Sequence, residues 1–317
     1  MVDNQLPYTV ADAILKADSP SEVFIGVVFM EVELVSKELQ EKFFNEFAKP
    51  FMANPQVQIQ RFKTGEYPPS IGFGRNQAMS MYANQDYILQ IDSHTKFEKS
   101  WDTKLIQMHK DAVADTQNEK TILTAYLPSY EHDDAGTRDY FQHPKLAKYP
   151  FFVFEFRFDA KLPSWRDMDL VNGPIKKSAK YVPCVKFNAQ FAFGNRHFYE
   201  ANSLPDSTIF WEEELFQTMN LLHEGFSLVF PNQVVPLAHL YFNDVQQNPK
   251  AYSYRVSGSN PKSLTKDEYI AEIRGSYFAF IKDPANKLKI DRFFKYTKTH
   301  PVYGPHLAFF IPPAYNR

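Results

Sequence analysis

Short runs of apolar residues, separated by amphipathic segments, set the tightest limit on what this chain can fold into. Residues 23–29 are apolar throughout, as a strand covered on both faces must be. Ser36 stands where it can cap a helix reaching Ala48, with Leu39, Phe43, Phe44 and Phe47 on one face and Pro50 closing it. Residues 57–62 alternate like a strand, and a loop holding Gly65, Pro68, Pro69, Gly72 and Gly74 follows. Residues 75–83 then read as a helix, 87–91 as a second buried strand, 101–113 as an amphipathic helix and 121–125 as the next strand. An earlier short helix is expected over 9–17, with Thr9 as its N-cap. This alternation argues for an α/β fold with a mostly parallel central sheet and right-handed crossovers. Ligands of such sheets bind beyond the carboxyl ends of the strands, and Asp92, Ser93 and His94 follow directly on strand 87–91.

The second half of the chain is less regular. Residues 126–181 are rich in proline and aromatics, and loops with short strands such as 151–158 are expected there. A strand over 185–193, a helix over 212–223, a strand over 226–230 and a strand end or turn over 234–239 follow. Beyond residue 245 come polar loops at 253–262, a helix near 266–274 and a basic-aromatic stretch at 287–298. The expected division is a domain over 1–245 and a C-terminal extension over 246–317.

Composition narrows the function. The net charge is −2, so the chain as a whole has no strong field for a polyanion. Lys282, Lys287, Lys289, Arg292, Lys295 and Lys298 nevertheless form a local basic run, which reads as a solvated helix face or as a nucleic-acid contact. Cys184 is the one cysteine, which excludes an intrachain disulfide and a cysteine-based zinc site. No apolar run approaches the roughly 20 residues that cross a bilayer, and the first residues lack the pattern of a secretory signal. The expectation is therefore a cytoplasmic protein with no membrane partner. Aromatics at 16% are high, which suits a phenylalanine-rich core and also stacking on a base or a sugar ring.

Four groups of residues carry chemistry. Asp92 and His94, two apart after a buried strand, offer a carboxylate oxygen and an imidazole nitrogen, a mixed set suited to Mn²⁺ and similar ions. A diphosphate leaving group needs such an ion; the alternative is an Asp-Ser turn followed by a surface histidine. Glu212, Glu213 and Glu214 suit the dipole of a helix N-terminus, or one of them holds a sugar hydroxyl or an acceptor. Phe210 and Trp211 before them suggest that this helix start is tucked against the domain. His239, among apolar neighbours, reads by itself as a core histidine. Arg75 and Asn76 follow two glycines at a helix start, where an anion such as a diphosphate is favoured, or Arg75 is simply exposed.

In order along the chain, Gly74-Arg75-Asn76-x-Ala78, the strand 87–91 with Asp92-Ser93-His94, Trp101-Asp102, Phe191-x-Phe193-Gly194, Glu212-Glu213-Glu214 and His239-Leu240-Tyr241 resemble one family. It is the family typified by the cytoplasmic hydroxyproline N-acetylglucosaminyltransferase of protists. That family in turn resembles the mucin-type polypeptide N-acetylgalactosaminyltransferases. The resemblance covers roughly residues 23–245 and implies a GT-A (Rossmann-like) nucleotide-sugar-binding fold, a UDP-sugar donor and retention of configuration. Carried over, it implies Asp92, His94 and His239 as ligands of Mn²⁺ (or Mg²⁺). It places Arg75, Asn76 and Ser93 beside the donor and one of Glu212, Glu213 and Glu214 near the sugar or the acceptor. Trp211 stands where the family usually has glycine.

The function implied is a retaining, metal-dependent glycosyltransferase with 1–245 as its catalytic domain and 246–317 as an acceptor-binding or lid segment. The acceptor is a protein hydroxyl, a saccharide or a hydroxymethylated base in viral DNA, which places a viral enzyme in host cytoplasm. A non-catalytic nucleotide-sugar-binding protein is the reading from a different class.

Overall fold

The computed structural model describes residues 5–31, 36–68, 70–125, 127–128, 130–132, 138–140, 153–158, 163–168, 180–184, 186–201, 203–208, 212–231, 233, 235–240, 271, 275–276 and 278–297. The expected polar loops at 253–262 and all of the expected helix at 266–274 except residue 271 lie outside these residues, as do Phe210, Trp211 and Tyr241.

The first half alternates as the apolar runs require. Helix α1 (Leu6–Leu15) precedes β1 (Ile25–Met30), α2 (Lys37–Phe43), β2 (Val57–Phe62), α3 (Ile71–Ser80), β3 (Tyr87–Ile91), β4 (Thr95–Phe97), α4 (Trp101–Thr116) and β5 (Thr121–Thr124). The hairpins β6 (Tyr130–His132) with β7 (Arg138–Tyr140) and β8 (Val153–Phe158) with β9 (Pro163–Met168) follow. Then come β10 (Tyr181–Pro183), β11 (Phe191–Asn195), α5 (His197–Ala201), α6 (Glu212–His223), β12 (Ser227–Pro231), β13 (Leu237–His239) and α7 (Lys287–Thr297). Among the described residues no helix is long and apolar enough to cross a membrane.

The α/β class holds, but the central sheet is mixed rather than mostly parallel. Its order is β10-β12-β5-β11-β3. β12 and β5 run parallel, whereas β11 enters antiparallel between β5 and β3, and β10 is antiparallel to β12. The parallel pair β1–β2 stands as a separate ladder. Alternation along the chain fixes the direction of consecutive units, but it cannot reveal a strand that returns from far downstream to split two neighbours.

Strand period sorts the core into two faces. Leu123, Phe191, Phe193 and Val229 turn to one side and pack with Leu105, Met108 and Ala112 of α4. Ile122, Ala192 and Leu228 turn to the other, against Phe187, Phe198, Ala201 and Leu221. The result is a helix–sheet–helix sandwich. Helix α6 is covered on its far side too, because Leu215, Phe216, Met219 and Leu222 meet Phe280, Ile290 and Phe293. Residues late in the chain thus seal the helix that carries the three glutamates.

Two helix starts differ from expectation. Thr9 is not an N-cap: α1 begins at Leu6 with Pro7 in its first turn, which leaves Thr9 inside the helix and buried. Helix α3 begins at Ile71, capped by the Ser70 hydroxyl, which accepts from the Phe73 amide at 3.1 Å. Gly72 and Gly74 therefore lie in its first turn instead of a loop. Gly72 is there for space, since a Cβ would run into the Pro205 carbonyl and sit 2.8 Å from the Thr208 Cβ. Ser36 caps α2 as its position implies, accepting from the Leu39 amide at 3.2 Å.

Candidate metal site at the end of the third strand

β3, β5 and β12 share one direction, so Asp92 stands at their carboxyl edge. Past Asp92 the chain turns and returns as β4, which pairs with β13 so that Thr95 faces His239. That register brings the end of β13 over the turn, and three side chains converge. His239 Nε2 lies 3.0 Å from Asp92 Oδ2 and 2.9 Å from His94 Nε2, and His94 Nε2 lies 3.7 Å from Asp92 Oδ2. The two histidine side chains are 7% exposed and that of Asp92 29%, so the cluster opens to solvent on the aspartate side.

The donor set fits a divalent ion better than it fits protons. With the hydrogen on His239 Nε2, that one hydrogen would serve both the Asp92 oxygen and the His94 nitrogen, a weak three-centre bond at best. A cation among the three atoms would satisfy every lone pair at once, and an oxygen–nitrogen set with an open side suits Mn²⁺ or Mg²⁺ with room for a substrate oxygen. The three ligand atoms lie within 4.8 Å of one another.

Arg75 reaches this site from the middle of α3. Its Nη2 donates to Asp92 Oδ1 at 2.8 Å and to the Ala189 carbonyl at 3.2 Å. Its Nη1 donates to the Ile91 carbonyl at 2.9 Å and its Nε to Glu213 Oε1 at 2.9 Å. Four of the five guanidinium hydrogens are thereby given to protein acceptors. Sequence placed Arg75 at a helix start and against a diphosphate; here it braces Asp92, occupying Oδ1 and leaving Oδ2 turned to the histidines. Asn76 turns elsewhere, its Nδ2 donating to the Leu204 carbonyl and to Asp206 Oδ1, both at 2.8 Å. Ser93 lies in the turn, with its carbonyl accepting from the Thr9 hydroxyl at 2.8 Å.

The three glutamates separate in role. Glu212 and Glu213 are buried at 3% and 2% exposure. Glu213 meets Arg75, whereas Glu214 takes Lys186 Nζ at 3.0 Å and the Ala189 amide at 3.2 Å. Glu213 is joined through Arg75 to the convergent cluster. Missed in the sequence were Lys186 and Ala189, whose loop closes the far side of the arginine. Lys186 is 2% exposed and paired with Glu214, and nothing in the local pattern announced that pair.

Electrostatics divide the two carboxylates that share Arg75. Burial alone would raise the Asp92 carboxyl, but the His239 hydrogen bond and the Arg75 guanidinium outweigh it and hold it well below the usual carboxylate range. Glu213 goes the other way: burial pushes it up to about 7 against the pull of Arg75, with Asp92 and Glu214 adding to the rise. Folded chains therefore bind more protons than unfolded ones from about pH 4.5 to about 7, and this carboxyl's contribution to stability is lost as pH rises through that window. Asp92 acts with the opposite sign, losing its contribution only in more acidic solution. Glu213→Gln is expected to flatten the metal-free protein's decline in Tm between pH 4.5 and 7.5, where each kcal/mol corresponds to roughly 2–4 °C. Parallel slopes for the two proteins would remove Glu213 as the source.

Asp92, His94 and His239 thus form a possible metal site at the carboxyl end of a strand in an α/β fold. Residues 48–289 match the family described as Glycosyltransferase (GlcNAc), and the chain belongs to that family. No curated protein matches the sequence. Among solved structures, GalNAc-T7 with UDP, GalNAc and Mn²⁺ is similar at 12% identity and a TM-score of 0.47, over 87% of this chain and 54% of that one. S. aureus TarS 1–349 is similar at 14% identity and a TM-score of 0.34, over 89% of this chain and 72% of that one. The chain thus spans about half the length of the GalNAc-T7 structure.

Proposed function

We propose that this chain is a retaining, metal-dependent glycosyltransferase of GT-A type that moves a sugar from a UDP-sugar to a hydroxyl acceptor. The observation that carries the reading is the convergence of Asp92 Oδ2, His94 Nε2 and His239 Nε2 at the carboxyl end of β3. Mn²⁺ or Mg²⁺ bound there would neutralise the charge that builds on a departing diphosphate. Asp92 is kept ionised, so its charge is in place before the donor arrives. The two buried histidines bring imidazole nitrogens as the other donors. Arg75 and Glu213 fix the Asp92 rotamer, so that little reorganisation is needed during transfer. Ser93 lies within the turn that the donor must approach. The acceptor hydroxyl attacks from the face that UDP leaves, which gives retention with no protein nucleophile. Residues 246–317 form the acceptor-binding or lid segment of this reading, and their described part packs on α6 behind Glu213.

UDP release separates this reading from a binding protein that has kept the fold. The chain is incubated with Mn²⁺, a panel of UDP-sugars and three acceptors: a hydroxyproline peptide, a saccharide and hydroxymethylated duplex DNA. Release with one donor–acceptor pair, abolished by EDTA and restored by Mn²⁺, is the expected result. Donor binding without release under any combination would leave a non-catalytic protein.

A further inference from the structure

Threonine inside a helix usually turns its hydroxyl back to the carbonyl one turn earlier. Thr9 does not. Its amide makes the ordinary helix bond to the Gln5 carbonyl at 3.0 Å, while its hydroxyl leaves the helix for a segment more than eighty residues away. The Thr9 Oγ1 lies 2.8 Å from the Ser93 carbonyl and 2.9 Å from the Thr95 carbonyl, and it accepts from the Thr95 amide at 3.1 Å. A hydroxyl has one hydrogen and two lone pairs, so this one accepts from Thr95 and donates to one or other carbonyl. Those groups lie on either side of His94. Donation to the nearer Ser93 carbonyl, with acceptance from the Thr95 amide, ties the two peptides that flank His94 and so sets its backbone dihedrals and the direction of its imidazole.

The rest of the turn is held by other residues. Thr95 Oγ1 donates to the Asp92 carbonyl at 2.8 Å, and the Leu240 amide donates to the His94 carbonyl at 3.2 Å. Further along, Lys16 Nζ donates to the Phe97 carbonyl at 2.9 Å, and Trp101 Nε1 donates to the Ala13 carbonyl at 2.8 Å. Helix α1 is thus fastened along the whole segment from the turn to α4, and Thr9, 4% exposed, is its contact at the His94 end. Residue 9 lies outside the 48–289 region that matches the family.

We infer that Thr9 is a positioning residue for the metal site: its hydroxyl holds the 93–95 turn in the shape that aims His94 at the metal. The inference rests on the metal reading proposed above. Groups that orient a ligand without touching the metal typically contribute about 10–100-fold to metal affinity. Thr9→Val keeps the β-branched shape and removes the hydroxyl, whereas Thr9→Ser keeps the hydroxyl.

Mn²⁺ affinity is measured by titration on the full chain, below the unfolding range of every variant, together with kcat and KM for UDP release. The expected result is a loss of Mn²⁺ affinity of about 10-fold or more in Thr9→Val and no more than about 2-fold in Thr9→Ser. Val10→Ala is the packing control: Val10 is 2% exposed in the cluster of Val27 and Val57, away from the turn. It should lower Tm without changing Mn²⁺ affinity. Thr9→Ala stands in if Thr9→Val does not fold. Wild-type affinity in the hydroxyl-less variant, or an equal loss in Val10→Ala, overturns the inference. His239→Ala in the same titration tests the metal reading separately: if it binds Mn²⁺ as the wild type does, that reading fails, whatever Thr9 does.

Discussion

Asp92→Asn is expected to reduce kcat/KM for Mn²⁺-dependent UDP release by about 10³-fold or more while the fold survives. The amide has the shape of the carboxylate, and its oxygen can still accept from Arg75 Nη2, which now lies 2.8 Å from Asp92 Oδ1. What is lost is the negative charge at Oδ2, the atom that meets both histidines. A metal's stabilisation of developing charge amounts to several kcal/mol, and about 4 kcal/mol corresponds to roughly 10³ in rate. The stability cost should be modest, because Arg75 keeps its bond to Glu213, and loss of the Asp92 charge removes one of the causes that raise the Glu213 carboxyl. Two readouts tie the loss to the metal. Mn²⁺ should raise the Tm of the wild type, since a ligand that binds only the folded state stabilises it, and should leave the variant's Tm unchanged. EDTA should abolish turnover in the wild type and add nothing to the variant's defect. Mn²⁺-dependent turnover within about 10-fold of wild type would place the metal elsewhere.

Much of this site was legible in the sequence because the information is local. Asp92 and His94 follow a five-residue, mainly apolar strand, and a strand end is a binding edge whatever the sheet order turns out to be. Strands 57–62 and 87–91 and helix 212–223 could be drawn to the residue from period alone. His239 was not legible in this way. Its apolar neighbours describe a core histidine, and only the β4–β13 register places its ring on the turn. Family resemblance supplied what periodicity could not.

The misplaced features share one cause, which is that they depend on contacts far apart along the chain. Gly72 and Gly74 looked like loop residues because glycine weakens a helix, yet Gly72 is in α3 because Pro205 and Thr208 press against it. Thr9 looked like a cap because threonine is a good one, although Pro7 already marked the earlier start. The antiparallel entry of β11 left no trace in the first 125 residues. Arg75 stood out at its position, but nothing in its own segment reveals that Asp92, Ala189 and Glu213 share it.

Arg75→Met should show how much depends on that sharing. The guanidinium is the common partner of two carboxylates, and its own charge is favoured by both although burial opposes it. Removing one member of a buried ion pair leaves uncompensated charge and typically costs about 3–5 kcal/mol. Urea denaturation at pH 8 should show a loss of that size, with Mn²⁺ affinity reduced as Asp92 loses its brace. Arg75→Lys should recover only part of it, since one ammonium cannot reproduce a fork that reaches Asp92, Glu213 and two carbonyls. The informative protein is the double variant Arg75→Met/Glu213→Gln. If the cost comes from the orphaned Glu213 carboxyl, which at pH 8 must either stay charged while buried or take up a proton, the second substitution should return part of the lost stability without restoring turnover, because Asp92 remains unbraced. Stability changes that simply add, with no coupling between the two positions, would show that Arg75 and Glu213 act independently and that the brace on Asp92 does not extend into α6.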